Sequence, residues 1–216
     1  MIDRYLTVFD GGEGRYEEKK SVFLSYVRPV STEEDAVSFV EGIRRQHWDA
    51  RHCCSAWVIG AEHPQMRASD DGEPQGTAGR PMLDVLTGAG LADVAVAVVR
   101  YFGGVLLGTG GLVRAYSSAV QDGLRHSVVT EKIFGIRLRI RIDYTGLGKL
   151  QYLLGSRKIP VMSAEYGEAV QTEVILPAAE EKWLRTEIAG LSAGKAAVES
   201  LGNTWYMMVD GECLPV

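Results

Sequence analysis

Cysteine is nearly missing from this chain: 216 residues hold three, Cys53, Cys54 and Cys213, an odd set with no CxxC spacing. That excludes a disulfide framework and a zinc knuckle, so reduced thiols are expected. Nor does any apolar run reach the ~18 residues a membrane helix needs, and Met1 to Asp10 lacks the basic start and apolar stretch of a signal peptide. A cytoplasmic protein without membrane contact is the expectation. An excess of positive charge is also lacking. Before Ile133 stand 14 basic and 18 acidic residues, from Ile133 onward 9 and 10, for a formal charge of -5. Attraction of polyanions by the surface as a whole is thereby excluded, and any nucleic-acid contact needs a local basic patch. No repeat or low-complexity segment occurs.

What is present is the patterning of an ordinary globular protein, 46% hydrophobic and 24% charged. Lys20 to Arg28 is rich in β-branched and aromatic residues and stops at Pro29, which reads as a strand. Ser31 with Glu34 has the form of a capping box, and Ala36, Val40, Ile43 and His47 recur on one helical face behind it. Cys53 to Gly60 reads as a short strand and Glu62 to Gly76 as a loop. A helix is expected over Thr77 to Ala89. Val94 to Val99 is apolar throughout, the mark of a central strand buried on both faces. The glycine loop Gly103 to Gly111 follows, then a helix over Leu112 to Leu124.

At Ile133 the pattern changes. GIRLRIRID alternates strictly, with Ile136, Leu138, Ile140 and Ile142 on one face and Arg137, Arg139 and Arg141 on the other. The remaining order of strand, helix, two strands, helix and strand is that of a split βαβ, ferredoxin-like domain, giving an α/β (α+β) protein with domains at 1-132 and 133-216.

The candidate site centres on the glycine loop. A strand, glycines and a helix start present backbone N-H groups to an anion. Gly103, Gly104, Gly108, Gly110 and Gly111 lie there, with Arg100, Tyr101 and Arg114 close by and Asp70, Asp71 and Glu73 in SDDGEP upstream. The spacing departs from the P-loop and from the dinucleotide fingerprint, and the acids do not form a calcium loop. His52 and Cys54 project from the same face of a strand, so a Cys-His nucleophile pair is conceivable; structural thiols are the simpler reading. The Arg137, Arg139 and Arg141 stripe invites an RNA reading, against which Gln171 and Glu173 stand as cross-strand partners. No catalytic residue, metal or cofactor is called for.

KSVF at Lys20, DARHCCSA from Asp49, SDDGEPQGTAGRPMLDVL from Ser69 and RYFGGVLLGTGGLVRAYSSAV from Arg100 together carry a resemblance to the Impact family in its bacterial YigZ type. The second domain resembles a module similar to one in elongation factor G. The resemblance implies a first domain like the second domain of ribosomal small-subunit protein five, with helices on one face of a sheet. It also implies association with translation, because eukaryotic relatives regulate it by binding an activator of a translation-controlling kinase. The expected partner is a translation factor, the ribosome or structured RNA, met at the surface formed by the eleven residues from Asp70 to Arg114 named above. The alternative is an enzyme binding a nucleotide or phosphorylated ligand at 103-111, because small-molecule kinases share the first domain's general fold.

Overall fold

A computed structural model describes residues 2-216. The described residues divide into two compact units, Tyr5–Thr130 and a second built on Glu131–Val216 with residues 2-4.

The first unit contains β1 (Arg4–Asp10), β2 (Glu13–Glu18), β3 (Ser21–Pro29), α1 (Glu33–Gln46), β4 (His52–Ile59), β5 (Gln65–Ser69), α2 (Gly79–Gly88), β6 (Val94–Tyr101) and α3 (Gly108–Arg125). Its sheet runs β2-β3-β6-β4-β5, antiparallel at every pairing. The all-apolar segment is the central strand β6, as its composition predicts. Because side chains alternate along a strand, β6 feeds two cores. Val94, Val96 and Val98 join Met82 and Leu86 of α2 and Leu112, Ala115 and Tyr116 of α3. On the opposite face Ala95, Ala97 and Val99 meet Ala36, Phe39, Val40 and Ile43 of α1. Helices therefore cover both faces, which corrects the expectation of helices on one face only.

Local chemistry accounts for most boundaries. Thr32, rather than Ser31, caps α1: its hydroxyl accepts from the Asp35 amide at 3.1 Å. The segment taken as a loop, Glu62 to Gly76, contains β5, which pairs with β4 from Ser55↔Ser69 to Ile59↔Gln65. The helix expected from Leu112 begins at Gly108, so Gly108, Gly110 and Gly111 form its first turn.

The second unit contains β7 (Val128–Ile142), α4 (Tyr144–Ser156), β8 (Val161–Tyr166), β9 (Val170–Pro177), α5 (Glu181–Leu191), β10 (Ala197–Val209) and β11 (Glu212–Pro215). The sheet order β11-β10-β7-β9-β8 contains the 4-1-3-2 order of a ferredoxin-like βαββαβ fold, extended at one edge by β11. Ile136, Leu138, Ile140 and Ile142 line its core against Leu150, Leu154, Leu184 and Ile188. Their opposite face carries the arginine stripe, where Glu173 of β9 accepts from Arg137 at 3.0 Å and from Arg139 at 2.8 Å. Glu173 is thus the cross-strand partner that the alternation predicts.

Candidate functional site

Antiparallel pairing brings the start of β3, the start of β4 and the end of β6 to one end of the first sheet, since Phe23 and His52 both face Arg100 across the ladder. The segments that follow or precede these ends carry the candidate residues. Gly103 shows how closely they approach: a β-carbon on it would sit 2.1 Å from the Lys20 carbonyl carbon. Only glycine fits there, and its amide donates to Ser21 Oγ at 3.1 Å.

Arg100 and Glu73 are both buried, with side chains 7% and 3% exposed. Arg100 Nη1 donates to Glu73 Oε1 at 2.6 Å, and the Tyr116 hydroxyl donates to the same oxygen at 2.9 Å. The guanidinium also lies 5.5 Å from the ring centres of Phe23 and Phe102. Its Nε is buried without a hydrogen-bond partner. Tyr116 is held far above its ordinary pKa, first by burial and then by Cys54 and Glu73. It is a fixed proton donor.

Asp70 and Asp71 have local duties. Asp70 Oδ1 accepts from the Ala78 and Gly79 amides at 3.0 and 2.8 Å, and Oδ2 from Gly76 at 2.7 Å. This carboxylate caps α2 from eight residues upstream. Burial works to raise its pKa, but the three amides outweigh burial and leave it below 3.8. Asp71 accepts from the Cys53 amide at 2.7 Å and pairs with Arg44 at 2.8 Å. Burial again opposes, and Arg44 with the amide again prevails, lowering its pKa.

The Cys-His nucleophile pair does not form. Cys54 lies 3.0 Å from the Asp70 carbonyl oxygen, to which its thiol donates, and 3.3 Å from the Tyr116 hydroxyl. Burial pushes the Cys54 thiol well up and takes that of Cys53 to about 11. His52 instead sends Nδ1–H to the Asp71 carbonyl at 2.8 Å, because a carbonyl only accepts; Nε2 is then the acceptor of the neutral ring.

Around Arg100 opens a pocket of about 430 Å³, lined in part by Arg51, His52, Glu73, Phe102, Leu106 and Thr109. Of the predicted residues it takes in Arg100, Glu73 and Gly108. Tyr101 lies to the side, its hydroxyl 2.9 Å from His47 Nδ1 and 3.0 Å from Asp49 Oδ1, and Arg114 is exposed on α3. Arg51 and the apolar residues of the rim lie outside the predicted set, since neither a lone arginine nor the Phe-Gly-Gly-Val-Leu-Leu run has a period that marks a site.

A two-unit α+β protein, whose first unit carries an arginine-centred pocket at one end of an antiparallel sheet, is the class these features define. The Impact N-terminal domain matches residues 19–124, and a domain of unknown function (DUF1949) matches residues 140–195. IMPACT family member YvyE of Bacillus subtilis (strain 168) is 40% identical over 207 residues, spanning 96% of this chain and 95% of the relative. IMPACT family member YigZ of Escherichia coli (strain K12) is 41% identical over 180 residues, 82% of this chain and 88% of the relative. A crystal structure described as that of a hypothetical protein superposes with a TM-score of 0.61 at 37% identity, covering 94% of this chain and 99% of the other. The chain belongs to the Impact family. No described helix is long and apolar enough to cross a membrane.

Proposed function

We propose that the protein is a non-catalytic, translation-associated binding protein that meets a ribosome-associated protein or structured RNA with the pocket end of its first unit. Membership of the Impact family supports a translation-related regulatory role in general terms. The observation that carries the site is the apolar loop over Arg100, where Phe102 is 50%, Val105 47% and Leu106 82% exposed. A soluble domain keeps large side chains of this kind in water when something is to cover them. An apolar cover favours the protein partner over the RNA. The buried Arg100–Glu73 pair holds the strand end that carries this loop, and the Asp70 and Asp71 bonds hold the facing one.

Arg100 is unsuitable for testing contact, since its loss strands Glu73. The exposed substitutions Leu106→Asp and Arg114→Ala are used instead, in co-sedimentation with purified ribosomal particles, with and without nuclease. Nuclease-resistant co-sedimentation of the parent, reduced at least about fivefold in Leu106→Asp, is expected for a contact of about 1 kcal/mol. A parent that stays in the supernatant overturns the reading.

A further inference from the structure

The exposed loop stands at a corner whose charges select what can cover it. We propose that this corner recognises an acidic, amphipathic protein segment, with carboxylates flanking apolar anchors, an assignment that rests on the partner contact proposed for the same loop and adds the chemistry of the partner.

Two connections deliver the apolar part. Phe102, Val105 and Leu106 come from the loop between β6 and α3. Trp48, in the connection between α1 and β4, is 84% exposed. Its neighbours fix its place: His47 Nδ1 lies 2.9 Å from the Tyr101 hydroxyl, and that hydroxyl donates to Asp49 at 3.0 Å. Both bonds tie Trp48 to the end of β6, at the root of the exposed loop. A large aromatic side chain left in water beside aliphatic ones is the composition of an interface centre.

The charge around it is one-sided. The main chain of Lys20 packs on Gly103, Arg51 shares a pocket wall with Phe102 and Leu106, and Arg114 Nη1 lies 3.7 Å from where a β-carbon on Gly110 would sit, in the first turn of α3. Lys19, Lys20, Arg51 and Arg114 are all exposed, and among the described residues none of them is in an ion pair. The acids of the corner are engaged inside the protein: Glu73 by Arg100, Asp71 by Arg44 and Asp70 by three amides. Asp49 alone of these keeps a carboxylate without a cation, while accepting from Tyr101. On a chain of formal charge -5, this rim is a local reversal of sign. Carboxylates on the partner complement it.

The turn between β2 and β3 points the same way. Glu18 pairs with Ser21, so the turn has two residues, Lys19 and Lys20, with φ of 45° and 66°. Successive positive φ angles make the hairpin turn for which Asn-Gly is the relaxed choice. Lysine at each position carries the β-carbon clash that glycine avoids. Strain kept where a relaxed sequence exists marks positions held for something other than the fold. A nucleic acid suits the corner less well. Bases would stack on Trp48 and Phe102 but leave Val105 and Leu106 wet, and a long polyanion would meet the negative surface beyond the rim.

The test titrates the purified full-length protein into a labelled synthetic amphipathic helix with leucines on one face and glutamates on the other, followed by anisotropy. The same peptide with lysine for glutamate, the same with serine for leucine, and a labelled oligouridylate are the controls. The acidic amphipathic peptide is expected to bind at least about tenfold tighter than either altered peptide. Tryptophan emission should move to shorter wavelength on binding, and Trp48→Phe should abolish the shift. Lys19→Asn with Lys20→Gly is the decisive variant, because it relaxes the turn while removing its charge. Its melting temperature should equal or exceed the parent's, and its affinity for the acidic peptide should fall at least about fivefold. Asp49→Asn keeps an acceptor for Tyr101 and should bind the peptide more tightly. No binding of the acidic peptide, equal binding of the lysine peptide, or unchanged affinity in the turn variant overturns the proposal. Equal binding of the serine peptide overturns the apolar anchors, and tighter binding of oligouridylate gives the corner to RNA instead. A parent that co-sediments with ribosomal particles yet ignores the acidic peptide loses this inference alone; one that binds the peptide but stays in the supernatant loses the ribosomal reading alone.

Discussion

Arg100 and Glu73 show how a charge comes to lie inside a small domain. Each ion alone would be expelled from the interior, and the two persist because each meets the other and Tyr116 adds a second hydrogen bond to Glu73. Glu73→Ala leaves the guanidinium buried and unpaired, which should cost about 3 to 5 kcal/mol in urea unfolding. The double change Arg100→Met, Glu73→Leu should recover most of that loss. The two neighbouring aspartates make stability depend on acid. Both carboxyls lie below 3.8 in the folded protein and return towards it on unfolding. The unfolded chain therefore binds more protons as pH drops through that region. The stability they contribute is complete above their ordinary value and is lost as pH falls through the lower native ones. Denaturant midpoints between about pH 6 and pH 3 should decline, and more shallowly in Asp70→Asn, because that side chain no longer titrates.

Elements were legible in proportion to their periodicity. The centres of β6 and β7 could be read outright: Val94 to Val99 is apolar at every position, and Ile136 to Ile142 alternates without a break. β5 has five exposed residues in five, so no apolar period marks it, and only its ladder with β4 makes it a strand. β1, β2 and β11 passed unmarked for related reasons. β2 is EGRYEE, with a glycine at its one buried position. The start of α3 was placed four residues late because glycines oppose helix in isolation, and their place in the first turn is decided by packing. The site was half legible. SDDGEP and the glycine loop both stand out in the sequence, but the cap that Asp70 gives α2 follows no standard capping spacing, and Glu73 pairs with Arg100 27 residues away. Pocket residues Arg51 and Leu106 carry no pattern of their own. Gly103 holds the loop against the turn after β2, and Gly103→Val should force that backbone apart. Loss of at least about 2 kcal/mol is expected, with weaker co-sedimentation even at temperatures where the protein stays folded.

Taken as a whole, the chain keeps its apolar clusters within its units. Those of the first run from Val8 to Val120 in sequence, and that of the second from Ile136 to Ile188. A core that closes on its own elements is what allows a piece of chain to fold alone. We propose that residues 1-132 do so, the cut falling within the long strand β7 before its alternating stretch begins. At that length the piece exceeds the ~60 residues below which burial becomes marginal, and both faces of its sheet are covered. Expressed by itself, 1-132 should show one cooperative urea transition and the near-ultraviolet dichroism of a packed aromatic core. The edge-on contact of Phe23 with Tyr116, 5.1 Å between ring centres, contributes to that signal. A broad transition with no near-ultraviolet signal would show that the second unit is required for the first to fold.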